Sequence, residues 1–263
     1  MTESPNHSIY FVPGLHRGLR VLEILGATDE PMSLSEIARA MDLSRSSAFR
    51  LVYTLRQMDF LKEAEQRNTY TLGARVLNLG FAYLNRQPIT SIARPHLSAL
   101  RDKTGIGTHL SVLEGHYVLY LVSHQARAGF VSTMVTGTRT QAYASAIGWC
   151  LLEDRSDEEL RAFCAEVEMT SFTEHTPTTY EELLDRVRGA RDRGFVFSRG
   201  FRDPGGSSVA VPVRDHTKRV VACVNLSGPD SGFDFDRIDG FYVPETRATA
   251  LQISRELGYA GCA

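Results

Sequence analysis

Residues 33–58 read SLSEIARAMDLSRSSAFRLVYTLRQM. Ser33 followed three residues later by Glu36 is a capping box that opens a short helix through Ile37, Ala38 and Met41. Asp42-Leu43-Ser44 interrupts it, and Ser44 has the hydroxyl to cap a longer helix from Arg45 to about Met58. A short helix, a tight turn and a longer helix is the plan of a helix-turn-helix. On a 100° wheel, Ala48, Leu51, Val52 and Leu55 form the stripe that must be buried. Ser46, Arg50, Tyr53 and Gln57 lie opposite, with Ser47 and Thr54 at the margins and Arg45 at the helix start. Between Ser44 and Gln57 there are three arginines and no acid. Arginine takes guanine edges or phosphates, and small hydroxyls allow close approach, so this face suits a DNA major groove. Taken alone, a solvated amphipathic helix has the same pattern.

The flanking sequence narrows the choice. Upstream, Leu15, Leu19, Leu22 and Leu25 recur at helical spacing up to Gly26, giving a first helix. Downstream, Phe60–Glu63 and Tyr70–Leu72 read as short strands around the polar turn 64–68. Three helices and a hairpin make a winged helix. Its wing offers Lys62, Arg67, Asn68 and Thr69 to a phosphate backbone. Glu63 and Glu65 oppose that role, so Arg67 and Asn68 are the residues expected to face DNA.

The chain has 263 residues, long for one domain and sufficient for two of unequal size. Its formal net charge of -2 means that DNA binding must rest on local charge rather than on the whole chain. Cys150, Cys164, Cys223 and Cys262 show no CxxC spacing, which argues against a zinc module or a disulfide scaffold. No basic-then-apolar leader opens the chain and no run of about 18 apolar residues occurs, so a cytoplasmic protein off the membrane is expected. Neither a metal site nor a cofactor is expected. Catalysis is not expected either: HExxH, GxSxG and dinucleotide fingerprints are absent, and Ser145 and Cys150 have no visible base.

Helical spacing resumes over Gly73–Arg86, a linker helix stopping before Pro88, and again over Ile89–Thr104. His109–Leu113 and Tyr117–Ser123 flank Glu114-Gly115, a hairpin signal. Phe130–Val135, Phe195–Ser198, Ser208–Arg214 and Arg219–Ser227 read as strands. Ala142–Glu153, Asp157–Val167, Tyr180–Arg193 and a segment from about Asp236 to Leu257 read as helices. Hairpins mixed with helices favour a largely antiparallel sheet. The fold expected is α+β, with a winged helix-turn-helix over 1–72, a linker helix over 73–87 and an α/β domain over 88–263.

Several stretches in order resemble the IclR family (isocitrate lyase regulator type). In the first domain they are Leu15-His16-Arg17-Gly18-Leu19, Leu34-Ser35-Glu36-Ile37-Ala38, Ser44-Arg45-Ser46-Ser47-Ala48-Phe49-Arg50-Leu51 and Tyr70-Thr71-Leu72-Gly73. Leu77-Asn78-Leu79-Gly80 follows. More loosely, Ala144–Gly148, Arg193-Gly194-Phe195, Ser208–Asp215 and Val220–Pro229 resemble its effector-binding domain, a GAF-like fold. The resemblance implies that the third helix reads double-stranded operator DNA and that subunits pair, as a dimer or a tetramer. It implies DNA contact for Arg17 too, which on its residues alone reads equally as a surface arginine.

A ligand pocket has its own physical case. Free N–H groups at a helix start within Ala142–Gly148 suit a carboxylate, and small side chains there let one approach. Strand alternation puts Asn225 and Ser227 on one side, where polar groups need a partner: a ligand or the backbone. The resemblance implies that a carboxylate meets the backbone at Ala146 and Ile147, with side-chain contacts from Ser208, Asn225 and Ser227. At Ser198 the family can carry an acid. Here Ser198 is followed by Arg199 and Arg202, which favours an organic anion, aromatic acids included, unless both are solvated. His109 and Trp149 read as core, Trp149 alternatively as a pocket wall. The expected protein is a DNA-binding regulator tuned by a small organic acid. The rivals are an enzyme and a constitutive DNA-binding protein, the latter leaving two thirds of the chain without a use.

Overall fold

A computed structural model describes residues 10–66, 68–126 and 134–261. The chain divides into two compact units, residues 1–83 and 84–263.

In the first unit, α1 (Pro13–Gly26), α2 (Leu34–Ala40) and α3 (Arg45–Gln57) surround a core of Val21, Leu25, Ile37, Val52, Leu61 and Tyr70. The capping box forms as expected: Glu36 N–H donates to Ser33 Oγ at 3.3 Å and Ser33 N–H to Glu36 Oε2 at 2.7 Å. Asp42 sits between α2 and α3 at φ 51°, a left-handed conformation that a short polar side chain tolerates. β2 (Leu61–Glu63) and β3 (Thr69–Leu72) pair antiparallel as the hairpin, Leu61 opposite Leu72. A third strand, β1 (Met32–Ser33), pairs with β3. Two residues are too few to show alternation, so this strand left no sequence pattern. At the hairpin base a Cβ on Gly73 would stand 2.2 Å from the Asp59 carbonyl oxygen, which only glycine avoids.

The helix after the hairpin, α4 (Arg75–Leu84), is shorter than the expected 73–86. In the second unit a six-stranded antiparallel sheet has the order β6-β5-β4-β9-β8-β7. Its strands are β4 (Gly107–Glu114), β5 (Tyr117–His124), β6 (Arg139–Gln141), β7 (Val196–Arg199), β8 (Gly206–Arg214) and β9 (Val220–Pro229). Alternation sends Leu110, Val209, Val211, Val224 and Leu226 into a core shared with α5 (Pro88–Thr104) and α9 (Val243–Glu256). Tyr120, Val196, Ala210 and Cys223 belong to a second core with α6 (Ala146–Leu151), α7 (Asp157–Ala165) and α8 (Tyr180–Arg193). The sheet is therefore covered by helices on both faces.

Three expectations change. The strand at 130–135 lies mostly outside the described residues; Met134 and Val135 are not in a strand, and β6 follows instead. The helix expected over 142–153 is a 3-10 turn, Ala142–Ala144, and then α6, because Ser145 is extended (φ -144°, ψ 147°) and caps α6 through Gly148 N–H. The last helix begins at Val243, preceded by a wide turn over Ile238–Tyr242. Pro244 lacks the N–H that continuing an α-helix through it would use.

Candidate DNA face and ligand cavity

In the first unit the expected reading face stands outward. Ala48 and Val52 are buried, while Arg45, Ser46, Arg50 and Tyr53 are exposed. Ser47 is half-buried in a hydroxyl cluster at the helix start: Ser44 Oγ accepts from Ser47 N–H at 3.2 Å and donates to Ser47 Oγ at 3.0 Å. The sequence reading omitted Phe49, which is 52% exposed and lies 6.1 Å, ring to ring, from Tyr53. It adds an apolar surface that can meet a thymine methyl. Nothing in the helical wheel separated it from a core-margin phenylalanine.

Arg17 on α1 is exposed. In the wing, Asn68 is exposed at φ 61°, while Arg67 lies outside the described residues. Glu63 is held within the unit, accepting from Asn68 N–H at 3.0 Å and pairing with Arg56 at 3.6 Å. Its charge is thus partly neutralised and it fixes the turn.

In the second unit the six expected ligand residues, Ala146, Ile147, Ser198, Ser208, Asn225 and Ser227, all line one cavity of about 430 Å³. That is room for a small organic molecule. Register brings the polar ones together: Ser198 lies opposite Ser208, Ser208 opposite Ser227, and both His109 and Ala210 opposite Asn225. Ala146 and Ile147 contribute the first turn of α6, where N–H groups have no acceptor within the helix. The serine side chain capping that turn takes Gly148 N–H and leaves these two free of the cap.

Tyr120, Met134 and Phe201 supply apolar wall that the sequence did not separate from core. For Tyr120 the obstacle is a bulge. Register slips between Leu110 and Ser111, so that Leu110 faces Val122 while Ser111 faces Tyr120. Tyr120 and Ser123 then both reach His109, although strict alternation would put them on opposite faces. Trp149 does not line the cavity. It is buried behind it, donating Nε1–H to the Tyr143 carbonyl at 2.7 Å and meeting Phe201 edge to face.

The two arginines after Ser198 part ways. Arg202 lines the cavity beside Asp203, whereas Arg199 donates to Asp230 at 2.6 Å and lies over Phe235. The segment Gly205-Gly206-Ser207-Ser208, which lacks the lysine of a phosphate loop, forms part of the cavity wall. Among the described residues no helix is long and apolar enough to cross a membrane.

Known proteins share this arrangement. The family model for the IclR helix-turn-helix domain matches residues 14–65, and that for the bacterial transcriptional regulator IclR C-terminal region matches residues 81–255. The HTH-type transcriptional regulator XynR of Escherichia coli K12 is 27% identical over 248 residues, 94% of this chain and 98% of its own. A crystal structure from Rhodococcus sp. RHA1 superposes with a TM-score of 0.82 at 30% identity, covering 94% of this chain and 99% of the other. An IclR homolog from Microbacterium hydrocarbonoxydans, complexed with 4-hydroxybenzoate, does so with a TM-score of 0.78 at 23% identity, covering 93% and 99%, a likeness of fold. This chain therefore belongs to the IclR family of bacterial transcriptional regulators, with a DNA-binding helix-turn-helix region and an effector-binding C-terminal region.

Proposed function

We propose that the chain binds a double-stranded operator through the outer face of α3 and the wing, and that a small organic acid in the cavity changes its operator affinity. Arg45, Ser46, Ser47, Arg50 and Tyr53 face the major groove, with Arg17, Arg67 and Asn68 on the backbone. The exposed, acid-free face of α3 supports this reading, since Arg45 and Arg50 have no ion-pair partner among the described residues. The working division is 1–72 for DNA, 73–87 for the linker helix and 88–263 for the effector.

The observation that carries the effector reading is the meeting of all six expected residues at one cavity with apolar walls. A carboxylate fits the free N–H groups of Ala146 and Ile147, with Arg202 adding positive charge. Apolar walls at Tyr120, Met134 and Phe201 favour an aromatic or short aliphatic body. The homolog complexed with 4-hydroxybenzoate is a precedent for such an acid in this fold.

Self-association as a dimer or tetramer accounts for apolar surface that one copy leaves open. Leu77, Leu79 and Phe81 on α4 are 58%, 63% and 54% exposed. A thermal-shift screen of small aliphatic and aromatic acids on the full chain tests the effector reading. Stabilisation lost in Ser227→Ala and Asn225→Ala is the expected outcome. Stabilisation that survives both substitutions contradicts the site, and none with any acid contradicts the ligand class.

A further inference from the structure

His109 on β4 is wholly buried and does not line the cavity, yet its imidazole is bonded to the cavity floor. The direction of each bond in that chain follows from its far end. The Met134 carbonyl can only accept, so Ser123 Oγ, 2.5 Å away, donates its one hydrogen there. Ser123 Oγ must then accept at its 2.8 Å contact with His109 Nδ1, which carries the proton. In a neutral imidazole Nε2 is left bare. Ser227 Oγ, 3.0 Å from it, therefore donates its hydrogen to His109 and has only lone pairs to offer the cavity.

Burial, with the neighbouring His124, pushes the His109 pKa down to about 4 and so keeps the ring neutral. The opposite polarity, Nε2–H donating to Ser227, is closed by the same geometry. A second observation agrees. Asn225 is wholly buried and lines the cavity; its Nδ2 donates to Ser208 Oγ at 3.5 Å, and its Oδ1 has no partner among the described residues. A buried acceptor without a donor is costly unless a ligand supplies one.

We propose that His109 is a specificity-determining positioning residue, which holds Ser227 as an acceptor so that Ser227 Oγ and Asn225 Oδ1 together select an effector bearing a hydroxyl or N–H donor. The inference rests on the effector reading above and deepens it. The acid's carboxylate is turned away from these two atoms, and a hydroxyl or amine elsewhere on the molecule is what they recognise. An ether or a second carboxylate at that position is rejected, because it sets lone pairs against lone pairs.

The test is calorimetric titration of the full chain with matched probes. Glycolate is compared with methoxyacetate, lactate with 2-methoxypropanoate, and each hydroxybenzoate with its methyl ether; each hydroxy acid is also compared with its amide. A hydroxy acid is expected to bind roughly ten- to a hundredfold more tightly than its ether. In His109→Phe, which frees the Ser227 hydrogen, that ratio should fall at least about threefold, the remainder being kept by Asn225 Oδ1. Ethers binding as well as hydroxy acids to the wild type, or an undiminished ratio in His109→Phe, overturns the inference and leaves the acid reading standing. Amides binding where acids do not overturns the acid reading and supports the inference.

Histidine-selective 15N labelling of the wild-type chain tests the inference without any ligand and where the variant does not fold. The His109 ring, assigned by its absence in His109→Gln, should show a protonated Nδ1 and a bare Nε2 at pH 7. The reverse tautomer, or an imidazolium, overturns the inference. Failure of every probe overturns the acid reading, and the tautomer seen in the 15N spectrum then supports or overturns the role of His109.

Discussion

Single side chains in this protein are set by what lies behind them as much as by what they face. Ser46 and Ser47 are both tied to the Ser44 cap, Ser47 half-buried and Ser46 exposed, while the Arg50 side chain has no hydrogen-bond or ion-pair partner among the described residues, so three neighbours on one helix are not equivalent DNA contacts. His109 gives the residue scale a pH signature. Its folded pKa lies below the ordinary 6.5, at about 4, first because of burial and then because of His124. The unfolded chain takes up a proton below pH 6.5 while the folded chain does not. Stability from this group is therefore complete above 6.5 and is lost as the pH falls towards 4. Between pH 7.5 and 5 the wild type should lose roughly 2 kcal/mol relative to His109→Gln in denaturant unfolding. His124, also held below its ordinary value by burial, is common to both proteins and drops out of the difference. Parallel pH profiles for the two would show that His109 is not buried and neutral.

At the scale of elements, the approach of α6 to the turn before it shapes the ligand cavity. A Cβ on Gly148 would stand 1.9 Å from the Ala142 carbonyl oxygen, which is main chain and has no rotamer to yield. Gly148→Ala should push apart the turn and the first residues of α6, costing on the order of 1–3 kcal/mol of stability. It should also abolish any ligand-induced rise in melting temperature. An unchanged melting temperature and ligand response would mean that the turn and α6 do not pack this closely. Such close approaches explain which elements were legible. Ser33 with Glu36 announces a helix start because a cap is a local device. Ser145 is also a cap, but helical spacing runs through it from Ala142, so one helix was expected where a turn and a helix occur. Ser208, Asn225 and Ser227 were legible because polar groups on apolar strands require partners. Tyr120, Met134 and Phe201 were not, because a cavity wall and a core use the same side chains, and the β5 bulge hides Tyr120's face.

At the scale of the whole molecule, two functions are joined in one chain, and the claim is that they act on DNA as an assembly. Apolar α4 is the proposed contact between copies. Leu77→Glu should lower the mass measured by light scattering and weaken operator binding, while leaving α3 intact. Unchanged mass and affinity would remove α4 from the interface. Beneath this lies the claim that α3 reads sequence. Selection of bound fragments from sheared genomic DNA, run with the wild type and with Arg50→Ala, tests it most directly. The wild type should recover a site with two-fold symmetry. Arg50→Ala should lose on the order of 1–3 kcal/mol on that site and relax the preference at one position of each half, with random-DNA binding unchanged. Recovery of the same site at the same strength by both proteins, or of no preferred sequence by the wild type, would contradict it.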